Sequence, residues 1–383
     1  MRIGFSTSVI QRGKTGIAQY VFALLRAMVP HARDHEFHLF VLEEDRPLFD
    51  FAEGSMKIVP VPEQFRPAVR NILWHQQTLP TLARNLKLDV IHTPSYRRLL
   101  WPRPCARVAT IHDLAPFHVR GKYDWKRMLY GRVVVRQLAR RQEQILAVSE
   151  NTARDLRQFF GVGPERVTVV WNGIDHGRFS PGDAGSARKM AARRWNLDRP
   201  YFLYVSRLEH PGKNHVRLIE AFSRFKASSG SDALLALGGS DWHGAEAIHE
   251  AARVSPHAAD IRFLGFVEDA VLPDLYRAAL GFVYPSLFEG FGFPPVEAMA
   301  CACPVICSAR GSLAEVVGNA AEIVEPESVD GIASALTRLW GEPDVRQRLI
   351  AAGLPNAQRF RWDRCAEQTL GLYARAAVSN GTR

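Results

Sequence analysis

The chain has 383 residues, 47% of them hydrophobic and 23% charged, with a formal net charge of +10. That length predicts two domains, and the apolar share is ample for two buried cores, which excludes a disordered polymer. No stretch approaches the about 18 to 20 apolar residues that span a bilayer, and five cysteines are too few and odd in number for a disulfide framework.

The opening Met1-Arg2-Ile3-Gly4-Phe5-Ser6 is too short in apolar residues for a signal peptide and reads as a first strand. Apolar runs bounded by turn residues recur at 2–5, 37–42, 90–91, 108–111, 145–148 and 167–170. A second series follows at 201–205, 233–237, 261–263, 280–284, 305–306 and 321–323. Amphipathic stretches such as 17–28 and 332–339 lie between them. This alternation predicts an α/β chain of parallel sheets with helices on both faces. Twelve strands are too many for one ordinary sheet and point to two.

Several polar positions punctuate the first half. The loop Arg12-Gly13-Lys14-Thr15-Gly16-Ile17 precedes a helix whose N-terminus can face a phosphate, with Gly16 approaching it. His92 ends one predicted strand and is a candidate to line a cleft; His112, followed by Asp113, ends another and ranks above it. From Arg120 to Arg141 there are eight Lys or Arg and one acid, Asp124, with Tyr123, Trp125 and Tyr130 interleaved. Arg66, Arg70, Arg97, Arg98 and Arg103 add to this charge. A basic, aromatic-bearing helical stretch suits an anionic membrane surface. Nucleic acid is the rival partner, and no nucleic-acid motif supports it. Turn residues at Trp171-Asn172-Gly173-Ile174-Asp175 and Phe179-Ser180-Pro181-Gly182-Asp183 mark a domain boundary. The expected division is 1–180, 181–361 and a terminal helical segment, 362–383.

The second half carries the chemistry. The strand ending at Val205 is followed by Ser206 and then by Arg207 and Lys213, two cations at a strand's carboxyl end, where open α/β sheets bind ligands. After the strand 280–284 comes Phe288-Glu289-Gly290-Phe291-Gly292-Phe293-Pro294-Pro295-Val296-Glu297. Proline suits a first helical turn, so the expected order is strand, loop 285–293 and helix 294–302. That helix start presents unpaired N–H groups and a positive dipole end to an anion, flanked by two carboxylates. Exposed glutamates are the plainer explanation of such a pair, but the two glycines and two aromatics between them are an odd choice for an ordinary turn. Cys301, Cys303 and Cys307 match no common zinc spacing and read as small apolar residues where a helix meets a strand.

The string from Glu289 to Glu297 resembles the signature of the retaining GT-B-fold glycosyltransferases of family four, and the likeness extends over nearly the whole chain, closest in look to bacterial mannosyltransferases of polysaccharide assembly. The resemblance implies two Rossmann-like domains facing a cleft. It places Glu289 on donor-sugar hydroxyls, Glu297 on the ribose, and Ser206, Gly290 and the backbone of Phe291, Gly292 and Phe293 near the sugar and diphosphate. Arg207 and Lys213 fall on the donor phosphates, although the gap between them is longer than in many relatives. His112 lies beside the transferring sugar, and the nucleobase near Phe266, Val267 and Leu272. The terminal helix crosses back to the first domain.

The implied reaction moves a hexose from a nucleoside diphosphate sugar to a hydroxyl with retention, by front-face displacement. No Asp-x-Asp pair, the metal-holding device of the other main glycosyltransferase fold, occurs in the chain, so no metal or other cofactor is expected. The expected donor is GDP-mannose, with a UDP-hexose as runner-up. The expected acceptor is a lipid-linked saccharide or growing polysaccharide at the inner face of the cytoplasmic membrane. A sugar-nucleotide epimerase or a non-catalytic sugar- or lipid-binding protein of the same fold are the alternatives.

Overall fold

In the computed structural model, residues 1–13, 15–118 and 129–381 are described. Lys14 and, within the basic stretch, Arg120 through Met128 lie outside them. The chain forms two units, Met1–Gly173 with Arg361–Arg383, and Ile174–Phe360.

The first unit is built on a seven-stranded parallel sheet in the order β3-β2-β1-β4-β5-β6-β7. Its strands are β1 (Arg2–Ser6), β2 (Glu36–Leu42), β3 (Lys57–Val61), β4 (Val90–Thr93), β5 (Ala106–Ile111), β6 (Gln144–Ala147) and β7 (Val167–Val169). All but β3 were expected. β3 reads Lys-Ile-Val-Pro-Val, and its proline marks an edge strand, which is where it lies. The helix Gly16–Met28 begins at Thr15, whose hydroxyl accepts from the Ala18 N–H at 3.2 Å. It buries Tyr20, Val21, Leu24, Leu25 and Met28, one face at helical spacing. The terminal helix Trp362–Gly381 packs on that helix and on β4, β5 and β6. Gly173 has no room for a side chain there, since a Cβ would stand 2.2 Å from the Trp362 nitrogen.

The second unit holds a six-stranded parallel sheet in the order β10-β9-β8-β11-β12-β13. These are β8 (Tyr201–Val205), β9 (Leu234–Gly238), β10 (Ile261–Gly265), β11 (Gly281–Tyr284), β12 (Val305–Ser308) and β13 (Glu322–Val324). Strand order reverses between β8 and β11, which pair with Gly281 opposite Phe202. The loops leaving the carboxyl ends of these two strands therefore diverge to opposite faces of the sheet and open a crevice between them. The inner strands of both sheets are buried on their two faces, which is why they read as continuous apolar runs rather than alternating ones.

Candidate active site

The loop after β8 is pinned at several points. Tyr204 is fully buried and its hydroxyl donates to the Lys213 carbonyl at 2.7 Å. The Ser206 N–H donates to the Gly238 carbonyl at 2.9 Å and the Leu208 N–H to that of Ser240 at 3.0 Å. Gly239 lets the chains meet, because a Cβ there would fall 1.9 Å from the Ser206 oxygen. Asn214 holds a left-handed conformation (φ 64°) ahead of the helix His215–Ser229. Its side-chain amide donates to the carbonyls of Pro285, at 2.9 Å, and Pro326, at 2.7 Å. The loop after β8 is thereby tied to the loop after β11.

Glu289 sits in that second loop, and its Oε1 is a point of convergence. It accepts from Lys213 Nζ at 2.6 Å, Ser286 Oγ at 2.7 Å and the Tyr284 hydroxyl at 2.9 Å. Lys213 and Glu289 side chains are 15% and 14% exposed, so this ion pair is largely desolvated. Burial alone would push the Glu289 carboxyl up, but the adjacent ammonium and the three donors carry it below the ordinary carboxylate range. Its backbone is equally fixed. The Ser312 N–H and hydroxyl both donate to the Glu289 carbonyl at 3.0 Å. Gly311 packs so closely that a Cβ would lie 2.4 Å from the same oxygen.

The helix after this loop runs Phe293–Ala300, with Gly292 as its N-cap at φ 93° and Pro294 in its first turn. Gly292 and Phe291 are buried, while Gly290 and Phe293 are partly exposed. Glu297, one turn in, accepts from the Tyr276 hydroxyl at 3.2 Å. Burial pushes its carboxyl up to about 7, with Arg178 pulling it down and Asp269 pushing it further up. The two glutamates are thus tuned in opposite directions. Arg207 is half-exposed, 3.3 Å from the Glu209 carboxylate and with its guanidinium 4.9 Å from the Trp242 ring centre. Val267 is buried and Phe266 strongly exposed at the carboxyl end of β10, and Leu272 is buried at the start of the next helix.

In the first unit, Gly16 opens the helix Gly16–Met28 and is exposed, and among the described residues nothing beyond its own turn lies within 4 Å of where a Cβ would stand. His112 follows β5 and is partly exposed. Its Nε2 lies 3.1 Å from the Pro94 carbonyl oxygen, and its ring forms a T-shaped pair with Tyr20, centroids 4.7 Å apart. Burial lowers it to about 4, so it is neutral at physiological pH. His92 differs from expectation. It is fully buried, with Nδ1 2.6 Å from the Tyr373 hydroxyl and Nε2 2.8 Å from Thr110 Oγ1. It joins the sheet to the terminal helix and lines no cleft.

Sequence reasoning missed Tyr284, Ser286, Asn214, Gly311 and Ser312, which position Glu289 and its loop. Tyr284 and Ser286 lay within five residues of Glu289 and were the accessible signal. All five cysteines are buried, and among the described residues no three His, Cys, Asp or Glu side chains cluster to hold a metal.

Residues 186–354 match the family model for glycosyl transferases group 1, and residues 14–178 that for glycosyltransferase family 4. The chain is 27% identical to the O-antigen chain mannosyltransferase B of Escherichia coli, over 97% of this chain and 99% of that protein. It is 32% identical to a D-inositol 3-phosphate glycosyltransferase of Kribbella flavida, over 63% of this chain and 58% of the relative. Its fold is similar to that of Anabaena HepE, solved in complex with UDP and glucose, with a TM-score of 0.77 and 18% identity, covering 98% of this chain and 99% of that one.

Proposed function

The chain belongs to the group 1 glycosyltransferases of family 4, and on that footing we propose that it transfers mannose from GDP-mannose, with retention and without a metal, to a hydroxyl of a lipid-linked saccharide or growing polysaccharide. The observation that carries this reading is the fixed Glu289 carboxylate at the crevice between β8 and β11, ionised and saturated on one oxygen only. A carboxylate so held can accept hydroxyl hydrogen bonds from a sugar and support the charge that develops on it as the diphosphate leaves. Arg207 and the N-terminus of the helix Phe293–Ala300 supply positive charge for that leaving group. The name of the Escherichia coli relative favours mannose; the UDP and glucose of the Anabaena neighbour keep a UDP-hexose as the second reading. The deciding experiment is calorimetric titration with GDP-mannose, UDP-glucose, UDP-GlcNAc and UDP-galactose, without and then with magnesium. Tight metal-independent binding of GDP-mannose alone is the expected result. Binding of a UDP-sugar alone replaces the donor, and conversion of UDP-GlcNAc without acceptor makes the protein an epimerase.

If Glu297 receives the ribose hydroxyls, donor affinity depends on its ionisation. A carboxyl titrating near 7 is mostly protonated at pH 6 and mostly ionised at pH 8. Donor affinity should therefore rise about tenfold over that interval. Calorimetry at the two pH values checks it, and Glu297→Gln should flatten the dependence.

The acceptor reading comes with a surface. Leu129, Val133 and Val134 are exposed on the segment that also exposes Arg132, Arg136 and Arg141. The Arg141 guanidinium stacks on the half-exposed Trp101 at 3.4 Å. Exposed apolar and aromatic groups among arginines suit an anionic lipid surface, each cation contributing about 1 kcal/mol there. Among the described residues no helix is long and apolar enough to cross a membrane. The protein should sediment with anionic vesicles at low salt, and R132E/R136E/R141E should release it; indifference of the wild type to such vesicles would sink this part of the proposal.

A further inference from the structure

Glu289 is held unlike an ordinary ligand-facing carboxylate. Its three donors come from three places, the loop after β8 (Lys213), the last residue of β11 (Tyr284) and the turn beyond it (Ser286). All three aim at Oε1, and among the described residues Oε2 has no hydrogen-bond partner. Tyr284 cannot swing away. Tyr284 is 2% exposed, and its ring stacks on Phe282 at 5.7 Å and lies tilted against Tyr204 at 5.3 Å. Ser286 is fully buried, with its carbonyl accepting from Ser308 Oγ at 2.6 Å and its own hydroxyl also 3.3 Å from the Gly212 carbonyl. Lys213 alone among the three carries a charge that a diphosphate could recruit.

Resting on the transferase reading above, we propose that Tyr284 and Ser286 are positioning residues that fix the rotation of the Glu289 carboxylate, so that Oε1 is consumed by the protein and Oε2 alone meets the donor sugar. The two hydroxyls are neutral and buried, so they remain on Oε1 even when Lys213 turns toward phosphate. A carboxylate free to rotate would offer either oxygen and lose its alignment with the sugar as charge develops. Alignment matters to the transition state more than to ground-state binding, so its loss should appear in kcat rather than in donor affinity.

The test uses Tyr284→Phe, which keeps the buried ring, and Ser286→Ala. A hydrogen bond to a charged group is worth about 1.5–3 kcal/mol, which converts to a loss of about ten- to a hundredfold in kcat. Donor Kd by calorimetry should stay within about twofold, since binding is shared among many contacts. The acid limb of the kcat profile should move to higher pH in both variants, because the removed hydroxyl was stabilising the ionised form. A stability readout needs no turnover. A depressed carboxyl contributes stability above its unfolded pKa and loses it as pH falls through the folded one. In Tyr284→Phe that loss should begin at higher pH than in the wild type, and Glu289→Gln should abolish the difference. Variants with lowered Tm but an unchanged acid limb and an unchanged pH of stability loss would overturn the inference. A wild type that transfers from no donor would overturn the transferase reading instead, while the stability series still decides the placement of the carboxylate.

Discussion

Glu289→Gln should lower turnover by about 10²–10³-fold with the fold intact. That is the scale for removing one preorganised electrostatic contact to a developing charge. The amide keeps the volume and an acceptor for Lys213, Ser286 and Tyr284, while removing the negative charge that faces the sugar. Glu289→Ala should lose turnover at least as far, but for two reasons at once. It also strands the Lys213 ammonium, 15% exposed, beside two hydroxyls that have lost their acceptor. Breaking a buried pair from one side destabilises by about 3–5 kcal/mol, and the partial exposure here puts the expected value at or below the lower end. Comparing the two variants by thermal denaturation and kcat separates the chemistry from the packing. Near-normal turnover of Glu289→Gln would remove the carboxylate from the reaction and overturn the assignment.

Much of this architecture is written locally. Parallel strands buried on both faces must be apolar throughout, so runs such as 201–205 and 233–237 declare themselves against amphipathic neighbours. β3 escaped because Pro60 interrupts its run and an edge strand buries less. The candidate site was legible where its residues are contiguous, as from Glu289 to Glu297. It was illegible where topology does the assembling. Lys213 and Glu289 are 76 positions apart and meet only because β8 and β11 are neighbours across the sheet reversal. Asn214 reaches Pro326 across 112 positions, and no local pattern announces that bond. His92 shows the complementary failure. Its place at a strand end could be read from the sequence, but the direction of its side chain depends on Tyr373, 281 positions away in the terminal helix. Strand position is a property of neighbours in sequence, and side-chain environment is a property of neighbours in space.

Gly311→Ala should disable the site without touching a residue that meets substrate. Gly311 has φ +64°, a region that disfavours any residue with a Cβ by about 1–2 kcal/mol. The new Cβ would also lie 2.4 Å from the Glu289 carbonyl oxygen and 3.0 Å from its nitrogen. Backbone cannot yield as a flexible side-chain tip can, and this carbonyl is already held by the N–H and hydroxyl of Ser312, the next residue along. Either residue 311 shifts, pulling Ser312 off its acceptor, or the Glu289 segment shifts and takes the carboxylate away from Lys213 and Tyr284. The combined strain and lost hydrogen bonds should destabilise the protein by about 2–4 kcal/mol, read as a lowered midpoint in urea. Turnover of the folded fraction should fall by at least tenfold. A double-mutant cycle distinguishes displacement of Glu289 from general damage. If Gly311 acts through that carboxylate, adding Gly311→Ala to Glu289→Gln should lower kcat little further, because the group it displaces has already been neutralised. Full multiplication of the two losses would mean that the glycine serves another part of the site, and that the close approach of residue 311 to residue 289 is packing alone.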